Sequence, residues 1–195
     1  MRWHSRGSEI VPRLEPYRAH FAKAFPQEGL TVETAVRAIA SFERTLISRN
    51  SSFDRYRTGD HAALSPSARR GMQVFEEASC TFCHHGPNFT NQAFHNIGVR
   101  DAGDPGRFAI QTGATLRGAF KTPTLRNVAL TAPYFHNGSA TTLAEVVAFY
   151  NRGGDVAGHT PLIFPLGLSA AEQADLVAFL EALTDPIVVE RPALP

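Results

Sequence analysis

The five residues Cys80-Thr81-Phe82-Cys83-His84 constrain this chain more than any other stretch. Their C-x-x-C-H spacing is that of a c-type haem attachment site. Two residues between the cysteines let one short helical turn present both sulfurs to the same porphyrin edge, where they add across the vinyl groups as thioethers. His84, one step beyond the second anchor, then reaches the iron as proximal ligand. Two other chemistries use such cysteines. A structural zinc site needs a second ligand pair, and the remaining histidines, His85 included, show no metal-binding pattern. A redox dithiol of the thioredoxin kind sits in a βαβ context that this sequence lacks. Chance gives this order of residues with odds on the order of one in a few thousand.

At 195 residues the chain has room for one well-cored domain with an appendage. Apolar residues at 43% and charged residues at 19% describe an ordinary globule, and a net charge of +1 argues against a nucleic-acid partner. The motif uses both cysteines, which leaves none for a disulfide. Covalent haem attachment predicts an export compartment such as the bacterial periplasm. The segment Met1 to Ile10 is basic but has no apolar h-region, so it predicts no signal peptide, and no run is long enough to span a membrane. The expectation is a lost N-terminus or a piece of a longer exported protein.

In chain order, Val11, Leu14, Tyr17, Phe21 and Ala24 predict a short amphipathic helix ended by Pro26. From Thr31, the residues Val32, Ala35, Val36, Ile39, Ala40, Phe42 and Leu46 predict a long helix with an apolar stripe. Residues 51–60 are turn-rich and polar, which suggests a boundary, so the chain divides into 1–60 and 61–195. Ser65-Pro66 opens a helix running to about Glu77, with Met72 and Phe75 on one side, that delivers the chain to Cys80. Residues 85–137 have little periodicity, which suits loops packed against a flat cofactor; short strands are expected at 108–112 and 115–119. Capping boxes at Thr142–Glu145 and Ser169–Glu172 open two last helices. The first is stopped by Gly153-Gly154, and the second turns Leu176, Phe179, Leu180 and Leu183 inward. The fold class is all-α: a cytochrome c-like haem domain with long loops wrapping the haem, preceded by two helices.

The longer motifs resemble a known family, the bacterial dihaem cytochrome c peroxidases and their MauG-type relatives. The resemblance runs through Ala38 to Leu46, Phe53-Asp54-Arg55-Tyr56, the attachment site with Gly86-Pro87, and Phe94 to Gly98. It continues in Phe120 to Val128 and Ala132 to Ser139. It implies a protein of two haem domains, in which an N-terminal haem meets hydrogen peroxide and a C-terminal haem passes electrons to it. This chain resembles the C-terminal domain, with residues 1–60 as a helical remnant of the N-terminal one. The implied partners are that peroxidatic haem domain and an external electron-donor protein. The implied cofactor is one covalent haem c.

Several residue roles follow from the resemblance alone. The family's sixth iron ligand, usually Met, falls here on Tyr150, where MauG-type enzymes also carry Tyr; the alternatives are a tyrosine simply packed at the end of its helix, or His136 or His159 as ligand. A phenolate is a hard anionic donor that favours ferric iron, whereas a thioether raises the potential. Met72, on the helix leading into the motif, is expected in the core. Arg126 resembles a residue near the haem propionates. Carbonyls of Thr131 and Pro133 match part of an interdomain calcium site whose other ligands come from the N-terminal domain. His136 and His95 are expected to be structural, His85 to bond a neighbouring loop, and His4, His20, His61 and His159 to face solvent. Two other readings remain: a free-standing monohaem carrier without peroxidase activity, and a gene remnant that holds no haem. If the peroxidase reading is right, the helices in 11–48 expose an apolar patch.

Overall fold

A computed structural model describes residues 15–100, 103–156 and 162–185. Among these, residues 15–47 form one compact unit and 48–185 another.

The first unit holds two helices. Helix α1 (Arg18–Ala24) ends before Pro26, while Val11 and Leu14 lie outside the described residues. Helix α2 (Val32–Glu43) starts at Thr31, whose hydroxyl accepts the Thr34 N–H at 3.1 Å while the Thr34 hydroxyl accepts the Thr31 N–H at 2.9 Å. Its apolar stripe is present but faces outward: Val36 is 60% and Ile39 58% exposed, with Val32 and Phe42 beside them. That is the patch the sequence leads one to expect.

In the second unit, the stretch read as a boundary is helix α3 (Ser52–Arg57). Its polar composition is misleading because the polar groups cap the helix: Ser51 Oγ accepts the Asp54 N–H, and Asp54 accepts the Ser51 N–H at 3.1 Å. The division between units therefore falls after Ile47. Helix α4 (Pro66–Glu77) begins at Ser65, which accepts the Ala68 N–H at 3.1 Å. Helices α5 (Leu143–Asn151) and α6 (Ala170–Glu181) open at the two expected capping boxes.

The expected strands at 108–112 and 115–119 do not form. Each run closes into a single 3₁₀ turn, at Arg107–Ala109 and Ala114–Leu116, flanked by Gly106, Gly113 and Gly118. Among the described residues the one ladder that forms is two residues long, beside isolated bridges at Gly106–Ala119 and Tyr134–Ala140. Strand β1 (Phe94–His95) lies antiparallel to β2 (Phe120–Lys121), with Phe94 opposite Lys121 and His95 opposite Phe120.

The core is built where α4 crosses α6. A Cβ on Gly71 would lie 1.8 Å from the Asp175 carbonyl oxygen, so only glycine allows this approach. Phe53, Phe75, Phe89 and Phe179 meet there edge to face or tilted, with centroids 5.2 to 6.3 Å apart. Burying each such ring contributes about 1.5–3 kcal/mol. Met72 packs against this cluster, as expected.

Two carboxylates fasten the polar edges of this core. Asp175 receives two bonds from Arg70, at 2.6 and 2.8 Å, and one from the Ser67 hydroxyl. Asp54 receives two from Arg126, at 2.8 and 2.9 Å, which ties α3 to the 124–126 segment. Burial pushes the Asp54 carboxyl up, but the bonds from Arg126 and Ser51 outweigh it and leave its pKa below the usual range.

Gly71→Ala should destabilise the folded protein by about 1–3 kcal/mol, since backbone must move to admit the methyl group. An unchanged thermal midpoint would show that the crossing is looser than described. Asp54, with its lowered folded pKa, stabilises the protein above the ordinary carboxylate range. That contribution fades as pH falls through the folded value. The gap in thermal midpoint between wild type and Asp54→Asn should therefore be full above about pH 5 and shrink steadily below about pH 4. A gap independent of pH would rule out the ion pair as its source.

Candidate haem site

Helix α4 ends at Ala78, and Ser79 takes a left-handed conformation that turns the chain into a 3₁₀ turn at Cys80–Phe82. The His84 N–H donates to the Cys80 carbonyl at 2.9 Å, which closes the turn. Cys80, Cys83 and His84 thus open onto one cavity of about 1050 Å³. Its size is at the upper end of that usual for cofactor pockets, and its walls are mainly apolar, from Phe75, Ile97, Leu125, Val147, Ile163 and Leu176.

The His84 ring is already oriented. Its Nδ1 lies 2.9 Å from the Phe89 carbonyl oxygen, which can only accept, so Nδ1 carries a proton. Burial also holds the His84 pKa below its ordinary value, which favours the neutral, ligating form. Burial pushes the Cys80 thiol up to about 11 and raises Cys83 as well. A reactive dithiol needs the opposite shift. Among the described residues, no group of three or more His, Cys, Asp or Glu side chains gathers to hold a metal ion. The donor set and the apolar walls fit a covalently held haem.

Tyr150 lines the same cavity. Helix α5 places it there: Phe149 faces the core at 1% exposure, and Tyr150 follows about 100° round the helix. Burial raises the Tyr150 pKa, and the charges of Cys80 and Cys83 add to the effect. The helix then stops at Gly153 and Gly154, both with positive φ. A Cβ on Gly153 would sit 2.7 Å from Pro165, so the 162–166 loop packs tightly on the helix end. Asn151 pins that loop by accepting the Leu168 N–H at 2.7 Å and donating to the Leu168 carbonyl at 3.1 Å.

Arg126, which the resemblance sets near the haem propionates, is held by protein partners in this structure. It is absent from the cavity lining; its guanidinium is committed to Asp54 and to the Pro87 carbonyl, 2.6 Å from Nε. Three of its five N–H donors are thus committed within the protein. The cationic side chains that do line the cavity are Arg100, Arg117 and Lys121, which composition alone does not single out. Leu162, Ile163, Phe164 and Leu166 also line it; an apolar run between two helices was the signal available for them. Thr131 and Pro133 are lining residues too.

The remaining histidines divide as follows. His136 stacks on Phe120 with centroids 3.6 Å apart and lines the cavity. His95 also lines it and accepts from Asn91 Nδ2 at 3.2 Å. His85 bonds the Thr81 carbonyl within its own turn. His20 and His61 are exposed, and His4 and His159 lie outside the described residues.

The family model described as di-haem cytochrome c peroxidase matches residues 3–62, and that described as cytochrome c matches residues 68–184. A cytochrome c domain implies a c-type haem. Cytochrome-c peroxidase IdrP1 of Denitromonas iodatirespirans is 38% identical, over 93% of this chain and 58% of its own length. Methylamine utilization protein MauG of Methylorubrum extorquens is 37% identical, over 95% of this chain and 55% of its own length. The chain thus spans less than two thirds of these relatives. The crystal structure of a MauG-like protein associated with microbial copper homeostasis superposes with a TM-score of 0.82 at 35% identity, covering 93% of this chain and 63% of that one. No described helix is long and apolar enough to cross a membrane. With an attachment turn, an oriented imidazole and an apolar cavity in one helical unit, the chain belongs to the cytochrome c family, and it is similar to di-haem cytochrome c peroxidases and MauG proteins over most of its length.

Proposed function

We propose that this chain is the electron-relay haem domain of a dihaem peroxidase that reduces hydrogen peroxide. One observation carries the reading: Cys80, Cys83, His84 and Tyr150 line one mainly apolar cavity, with the His84 Nδ1 side bonded to the Phe89 carbonyl. Cys80 and Cys83 would anchor a single haem c, His84 would be its proximal ligand and Tyr150 its distal one. When bound, a haem c supplies a one-electron iron couple held at a fixed edge.

The chain's own groups do the rest. The Phe89 carbonyl fixes the His84 tautomer and makes the ring more basic. The apolar walls exclude water, and Tyr150, protonated while buried alone, would ionise only against a cation. A phenolate there would keep the couple low. The chain up to Ile47 would be the end of the peroxidatic domain, a boundary earlier than the expected 1–60 and 61–195 because α3 packs with the second unit; the di-haem peroxidase match over 3–62 and the exposed Val36–Ile39 face of α2 support this over a free-standing carrier. The partners would be that domain and a donor protein, in the periplasm. Thr131 and Pro133 carbonyls would supply part of a calcium shell completed from the partner domain.

Two measurements test the reading. Haem-loaded wild type should show no thioether-to-iron charge-transfer band, and Tyr150→Met should gain one together with a higher reduction potential. A high wild-type potential with that band would remove Tyr150 as ligand. Joined to a peroxidatic haem domain, the loaded chain should support peroxide reduction by a reduced donor protein, and Cys80→Ala/Cys83→Ala should abolish it. Equal turnover in the double variant would end the relay role.

A further inference from the structure

Three consecutive carbonyls beneath His84 are each held by a side chain. The Pro87 oxygen accepts from Arg126 Nε at 2.6 Å, the Asn88 oxygen from the Thr124 hydroxyl at 2.6 Å, and the Phe89 oxygen from His84 Nδ1 at 2.9 Å. The first two clamps are themselves joined, because the Arg126 N–H donates to Thr124 Oγ1 at 3.1 Å. Arg126 is anchored in turn by its two bonds to Asp54.

This loop needs holding. Phe89 sits at φ +51°, a left-handed conformation that L side chains rarely adopt. Its ring is buried among Phe53, Phe75 and Phe179, so the core fixes the side chain. Its carbonyl belongs to the peptide unit whose N–H, that of Thr90, donates to the His85 carbonyl at 3.0 Å, and the two carbonyls just before it are the ones that Arg126 and Thr124 hold.

We infer that Arg126 is a positioning residue for His84: by clamping Pro87 it aims the Phe89 carbonyl at Nδ1 and so sets how strongly the imidazole donates to iron. The inference rests on the reading of His84 as a haem ligand. An outer partner of a ligating histidine raises its basicity, and removing such partners typically costs about 10- to 100-fold in metal affinity. Losing the clamp should weaken the Nδ1–H bond, reduce donation to ferric iron and raise the reduction potential.

The test uses the full chain, exported and haem-loaded, as wild type, Arg126→Lys and Thr124→Val. Lysine keeps a charge for Asp54 but cannot bond Asp54 and Pro87 together in a planar fork. Two quantities are measured: solvent exchange of the His84 Nδ1 proton by NMR, and the reduction potential. Arg126→Lys should exchange roughly tenfold faster and show a higher potential; Thr124→Val should move both in the same direction, by less. A lower thermal midpoint in Arg126→Lys with unchanged exchange and potential would reduce Arg126 to a packing role and overturn the inference. If Arg126→Lys takes up no haem, Thr124→Val decides, and unchanged values there overturn it. Wild type that carries no haem would instead sink the reading of His84 as a ligand.

Discussion

The hydrogen bond from His84 to the Phe89 carbonyl links the chemistry of this protein to its packing. It exists because Phe89 is buried in the aromatic cluster at the α4–α6 crossing, and that crossing exists because Gly71 has no side chain. The same bond holds a proton on Nδ1 of a ring that lines the cavity. Core and site are therefore one construction, so a change in the crossing is felt at the ring that would hold iron.

The cavity itself is a helical frame closed by loops. Helix α4 delivers the attachment turn, and α5 delivers Tyr150 from another side. The long stretch between them gains order from side-chain bonds to backbone rather than from ladders. Thr90 to the Thr122 carbonyl, Thr124 to Asn88 and Arg126 to Pro87 are examples. Such loops can follow the outline of a flat apolar ligand more readily than a sheet could.

What could be read from the sequence follows from which signals are local. The short turn at Cys80–Phe82, the Ser65-Pro66 start and the two capping boxes depend on residues within four positions of each other, and each matches the structure. Helix α3 was missed because its cap residues look like turn residues, and because its stability comes from Arg126, far along the chain. The strands expected at 108–112 and 115–119 failed for a related reason: glycines that bracket a short run can end it before any partner is met. Arg126 could not be placed at all from sequence, since its role is decided by Asp54 and a backbone carbonyl. Exposure of the α2 stripe was legible as periodicity, but which way it faces is a tertiary fact.

All of this presumes a porphyrin bonded at positions 80 and 83. The most direct measurement is mass spectrometry of the chain exported through a haem-attachment pathway, followed by peptide mapping. The account predicts one added haem mass, carried by the peptide that contains Cys80, Cys83 and His84. Exported, folded protein with both thiols free and no added mass would contradict it.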